Sequence, residues 1–96
     1  MADNDKKYSN ATVAQYLNDI ATAYEIKNKN YFRIVSYQNA AETIINYPKN
    51  LYQIWQKDKT LLDEVPSIGP SIMDKIDYLF THHRPHPAVK RAFKGI

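Results

Sequence analysis

Residues Val65-Pro66-Ser67-Ile68-Gly69-Pro70-Ser71-Ile72 set a tight turn directly before an amphipathic helix. Gly69 is one of only two glycines in the chain. Pro70 suits the first helical position, because the N–H it lacks would be unpaired there anyway. The amides that follow, around Ser71 and Ile72, then point out of the helix start with nothing inside the chain to bind. Free N–H groups and the positive end of the helix dipole make such an end a seat for phosphate. The competing explanation is a corner that serves packing alone, and the turn by itself does not separate the two.

Charge around that turn is uneven. The chain carries a formal +3, and from Val65 onward Lys75, Arg84, Lys90, Arg91 and Lys94 face only Asp74 and Asp77. A basic patch beside a phosphate-binding turn is what nucleic-acid binding requires, whereas a solvated basic tail has the same composition. His82-His83-x-x-His86 invites a metal, since imidazole is a common ligand. Pro85 and Pro87 interrupt the helix that would align these ligands, and no cysteine or nearby acidic group completes the set, so a solvated loop near phosphate is expected. Base stacking is open to Tyr8, Tyr31 and Tyr37, while Tyr24, Tyr47, Tyr52 and Trp55 fall at core spacings.

The elements that must position these groups follow from periodicity. The chain's 96 residues make one domain with a single modest core. The chain has no cysteine, hence no disulfide framework or thiolate metal site. No apolar run approaches the roughly 18 residues of a membrane span, and no signal-peptide centre opens the chain, so an intracellular protein is expected. Residues 1–9 are polar and expected to be frayed or disordered. Val13, Leu17, Ile20, Ala21 and Tyr24 mark one face of a helix from about Ala11 to Ile26, capped by Asn10 or Thr12. A second helix is predicted from Tyr31 or Phe32 to Tyr47, ended by Pro48, and a third holds Leu51, Ile54 and Trp55. A short helix near 60–64, the hairpin 65–69 and a helix over 70–81 follow, with Ile72, Ile76, Leu79 and Phe80 as the buried stripe. Ala88 to Phe93 are expected to add a last turn or two. Strand signals are nearly absent. The prediction is an all-α, compact bundle of four to five short helices containing one helix-hairpin-helix, over residues 10–81, with 82–96 a basic extension.

The apolar-Pro-x-apolar-Gly-Pro-x-apolar turn resembles a helix-hairpin-helix, a module that grips the nucleic-acid backbone without reading bases. Upstream, Glu25-Ile26-Lys27 leads through a loop into Phe32-Arg33-x-x-x-Tyr37-x-x-Ala40-Ala41-x-x-Ile44, then Tyr47-Pro48, with the hairpin roughly eighteen residues later. Order and spacing together resemble the amino-terminal 8-kDa domain of family X DNA polymerases, the group that includes DNA polymerase beta, over about Val13 to Phe80. Related domains occur in some structure-specific nucleases. Ala92-Phe93-Lys94-Gly95-Ile96 looks like the lead into a second hairpin, which implies a piece excised from a longer polymerase-like protein; a natural small protein is the alternative.

What the resemblance implies is a DNA-repair role: binding gapped or nicked DNA and its 5′-phosphate, as a monomer, with 5′-deoxyribose-phosphate lyase chemistry of base-excision repair. The position matching the family's Schiff-base nucleophile is Lys75, a residue type whose neutral amine becomes accessible through burial or neighbouring cations. Asp74 matches an acidic neighbour that assists proton transfer, Tyr37 a tyrosine shaping the pocket, and Arg33 a basic phosphate contact, here a guanidinium able to bind phosphate in bidentate fashion. DNA contacts are expected at Arg33, Tyr37, Ser67, Gly69, Pro70, Ser71, Ile72 and Lys75. Main-chain carbonyls of Asp63, Val65 and Ile68 match a monovalent-cation site for sodium or potassium; no other cofactor is expected here, magnesium belonging to an absent polymerase domain.

Three positions depart from the family. Ser71 stands where lyase-active members have a second phosphate-binding lysine, Phe32 where a histidine can occur, and Ser67 where the hairpin has its first glycine. Ser71 and Phe32 favour the alternative function, a non-catalytic DNA-binding or protein-docking module of a polymerase or nuclease; Lys75, Asp74 and Tyr37 together favour the lyase. Ser67 need not abolish backbone binding unless its position requires positive φ.

Overall fold

The computed structural model describes residues 8–27 and 30–87. Helix α1 spans Asn10–Ile26, α2 Tyr31–Ile45, α3 Leu51–Lys57 and α4 Pro70–His82; a 3-10 helix, Lys59–Glu64, leads into the hairpin. Among the described residues there is no strand, so the architecture is the all-α one expected.

Polar side chains start most of these helices. Ser9 Oγ accepts from the Thr12 amide at 3.1 Å, Asn30 from Phe32 at 2.7 Å, Asn50 from Gln53 at 2.8 Å and Asp58 from Thr60 at 3.0 Å. Each satisfies an amide that a helix start leaves orphaned. Ser9 thus takes the cap expected of Asn10 or Thr12. Asn10 is used instead as a stitch: it donates to the Lys49 carbonyl at 2.7 Å and accepts from the Leu51 amide at 2.9 Å.

α1 and α2 form the principal helix pair, with Ala21 and Ala23 on one and Ala40 and Ala41 on the other all fully buried. Those small side chains let the two backbones approach closely. α4 closes the core with Ile72, Ile76, Leu79 and Phe80, the stripe read from the sequence, and Lys75 is buried with them. Tyr8, Tyr52, Trp55 and Phe80 form an aromatic cluster with centroid spacings of 4.9 to 5.8 Å.

Some boundaries differ from the expectation. Tyr8, placed in a frayed terminus, is buried in that cluster. α2 stops at Ile45, because a residue before proline disfavours helical backbone and the Tyr47 amide turns back onto Ile44. The short helix before the hairpin is a 3-10 turn and begins one residue earlier than residue 60. The turn expected at Ala88 to Phe93 lies outside the described residues.

Candidate nucleic-acid interface

α4 is the helix that starts bare. Its N-cap is Gly69, which offers no side chain, and Pro70 holds the first turn. The first intrahelical bond runs from the Met73 amide to the Gly69 carbonyl at 2.9 Å. The Ser71 and Ile72 amides donate to no group among the described residues, so two N–H dipoles are left for an outside acceptor. Gly69 has an ordinary φ of −86°, and a Cβ built there meets nothing within 4 Å. Neither conformation nor packing demands a glycine at this point; a bare backbone there leaves room for close approach by a ligand.

The hairpin itself is strained. Ser67 adopts φ 68°, with Pro66 before it. Proline followed by a left-handed residue is the pattern of a type II turn, where glycine is the favoured third residue. The substitution seen in the sequence therefore falls on a position that uses positive φ, at a cost of about 1 kcal/mol.

A cleft of about 280 Å³ opens at the start of α4, and α2 supplies its other wall. Arg33, Tyr37, Ser67, Gly69, Pro70, Ser71 and Ile72, all expected to touch DNA, line it together; Ser36 joins them. Positions 33, 36 and 37 share one face of α2 through i, i+3 and i+4 spacing, a signal sufficient to have found Ser36. Arg33 lies 5.5 Å from the centroid of the Tyr24 ring, a cation–π contact that sequence reading gave only a core role. Tyr37 is 2 % exposed; its hydroxyl makes no hydrogen bond of good geometry among the described residues, although the Ser71 and Tyr24 hydroxyls lie close to it. Burial pushes its pKa up, opposed by the neighbouring Ser71 hydroxyl and the Arg33 guanidinium. A buried hydroxyl without a well-aligned partner is costly, and here it belongs to a residue lining the cleft.

Lys75 lies behind this cleft, not on its wall. It is 8 % exposed, and Nζ reaches back one turn to Ser71, 3.4 Å from Oγ and 3.5 Å from the carbonyl, the outer limit of a hydrogen bond. Its own carbonyl accepts from the Tyr16 hydroxyl at 3.3 Å. Asp74 is exposed on the adjoining flank of α4, its carboxylate 3.1 Å from His86 Nε2. The expected catalytic residues are therefore spread over three settings: Tyr37 in the cleft wall, Lys75 beneath it, Asp74 outside it.

Asp63 sits in the 3-10 helix, Val65 and Ile68 in the hairpin. The Val65 and Ile68 carbonyls accept no backbone amide among the described residues. Oxygen donors of this kind are the ones a hard cation takes. The three histidines go separate ways. His83 stacks on Tyr8, His82 lies against Tyr78 and His86 pairs with Asp74, and no cluster of three metal-ligating side chains occurs among the described residues.

A family model described as a helix-hairpin-helix domain matches residues 8–85. No curated protein and no solved structure matches the chain.

Proposed function

The chain belongs to the helix-hairpin-helix domain family, whose members generally bind DNA, and from that premise we propose that it binds the 5′-phosphorylated side of a DNA gap or nick, in the manner of the 8-kDa domain of family X polymerases. The observation that carries this reading is one cleft lined by a bare helix start and the Arg33 guanidinium, with Tyr37 in its wall. A terminal phosphate monoester carries nearly two negative charges and three acceptor oxygens. Two free amides and a fork of guanidinium donors match that acceptor set, and none of them reads a base. The test is competition between gapped DNA bearing a 5′-phosphate and the same DNA bearing a 5′-hydroxyl. The phosphorylated end should bind more tightly, and equal binding would reduce the interface to general backbone contact.

A second reading, deoxyribose-phosphate lyase activity, is favoured by Lys75 Nζ lying 3.4 Å from Ser71, a residue of the cleft wall. The amine would attack the C1′ aldehyde of the opened sugar and lose water to form a Schiff base. Removal of a C2′ proton would then expel the 3′-phosphate oxygen with its bonding electrons. Borohydride reduction on incised abasic DNA should trap a covalent adduct in the wild type and none in Lys75→Ala. Absence of an adduct in both would leave a binding module.

A further inference from the structure

The two arms of the helix-hairpin-helix enclose a second concavity on another flank of α4. This groove, of about 430 Å³, is faced by Pro70, Met73, Asp74 and Asp77, the i, i+3, i+4 and i+7 positions of one helix face, and by Trp55 and the 3-10 helix opposite. Its floor is apolar: Trp55, Ile68 and Met73 are all partly buried against the core without being covered. Its rim is acidic. Asp63, Asp74 and Asp77 stand there against Lys59 alone, in a chain whose total charge is +3.

That charge inversion favours a cationic ligand over a polyanion in this groove. Trp55 donates its indole N–H to Asp77 at 2.7 Å and stacks on Tyr52 at 5.8 Å, so its ring is held from two sides. A fixed indole beside carboxylates favours lysine or arginine, through cation–π and ion pairing together. Met73 supplies an adaptable thioether against which an aromatic or long aliphatic side chain packs.

We propose that this groove docks a short basic segment of a partner protein, an apolar side chain flanked by lysine or arginine. The apolar side chain enters between Ile68, Met73 and Trp55, and the flanking cations pair with Asp63 and with Asp74, which exchanges its His86 contact for the ligand. The groove shares Gly69 and Pro70 with the phosphate-reading cleft but not Arg33 or Tyr37, so Arg33→Ala separates failure of one reading from failure of the other.

Trp55 is the chain's one tryptophan, so its fluorescence reports the groove directly. The full chain is titrated at low salt with an end-blocked peptide Lys-Arg-Ala-Phe-Lys and with its charge-reversed counterpart Glu-Glu-Ala-Phe-Glu. A saturable change with the basic peptide alone is expected. Asp63→Asn, an exposed position, should weaken it about two- to fivefold, the worth of an exposed ion pair. Met73→Ala should weaken it as well, with an unchanged helical circular-dichroism spectrum, and Arg33→Ala should leave it intact. No saturable signal, equal response to both peptides, or indifference to Asp63→Asn and Met73→Ala would overturn the proposal. The chain itself contains Lys90-Arg91-Ala92-Phe93-Lys94; tighter peptide binding by Lys90→Glu/Lys94→Glu would assign the groove to that segment and likewise overturn a partner.

Discussion

Lys75 Nζ stands 3.4 Å from Ser71 Oγ, one helical turn on from the wall of the cleft at the start of α4. Where the lyase-active domains that the sequence resembles are expected to place two lysines, this chain pairs one lysine with a hydroxyl. The lysine that remains is 8 % exposed and does not line the cleft, whereas Ser71 does.

Ser71→Lys should restore a cation to the exposed position on the cleft wall. A charge-assisted contact to a terminal phosphate contributes ~1.5–3 kcal/mol when partly desolvated, less at an open site. Preference for a 5′-phosphate over a 5′-hydroxyl should therefore rise by about tenfold. Competition binding with the two gapped substrates measures it; an unchanged ratio would place the phosphate elsewhere.

Arg33→Ala should remove most of that same preference, and Arg33→Lys should recover part of it, since an ammonium keeps the charge without the bidentate fork. The salt dependence reports the contact separately. Each phosphate contact contributes roughly 0.7–0.9 to the slope of log K against log salt, so the mutant slope should be shallower by about that amount. Identical slopes would mean that Arg33 touches no phosphate.

Ser67→Gly should stabilise the fold. The left-handed backbone at φ 68° costs a residue with a Cβ about 1–2 kcal/mol, partly offset by the greater freedom of glycine in the unfolded chain. A net gain of ~0.5–1 kcal/mol is expected, read as a higher urea midpoint with unchanged slope. Ser67→Val, β-branched at the same φ, should move the midpoint the other way.

Tyr37→Phe should separate stability from binding. Removing a buried hydroxyl that lacks a well-aligned partner should stabilise the chain by about 1 kcal/mol, while leaving the preference for a 5′-phosphate unchanged. The variant should also alter the alkaline limb of the stability profile. Burial raises the pKa of Tyr37 from its ordinary 10.0, so the folded state holds this proton more tightly than the unfolded one. The contribution is fully present below pH 10 and is lost as pH climbs through the raised folded value. Urea unfolding from pH 8 to 11 should show a shallower decline in Tyr37→Phe than in the wild type. Tyr8 and Tyr16, raised for the same reason, keep part of the slope.

Helix order and the cleft were legible because they are written in local signals. Pro48, the Gly69-Pro70 pair and the 3.6-residue spacing of apolar positions locate α2 and α4 without tertiary information, and the cleft follows from the faces they present. Tyr8 was not legible: an aromatic in a polar terminus gives no periodicity, and its burial depends on Tyr52 and Phe80, far away in sequence. Lys75 was misjudged in setting for a similar reason. Its spacing from Ser71 gave the shared helix face, but not that Tyr16 packs over its backbone. The positive φ at Ser67 was legible only as a condition, since a turn beginning at Val65 admits more than one type.

The stacking of Tyr8 on His83, with the tyrosine hydroxyl 3.0 Å from Nδ1, brings the two ends of the described fold to one corner. A polypeptide that enters and leaves at the same corner is tolerated as an insertion in a surface loop of a larger protein, because the host's loop ends stay where they were. Such grafting would carry the phosphate cleft intact into a host that lacks one, and its success would depend on keeping Tyr8 and His83 within the transplanted piece.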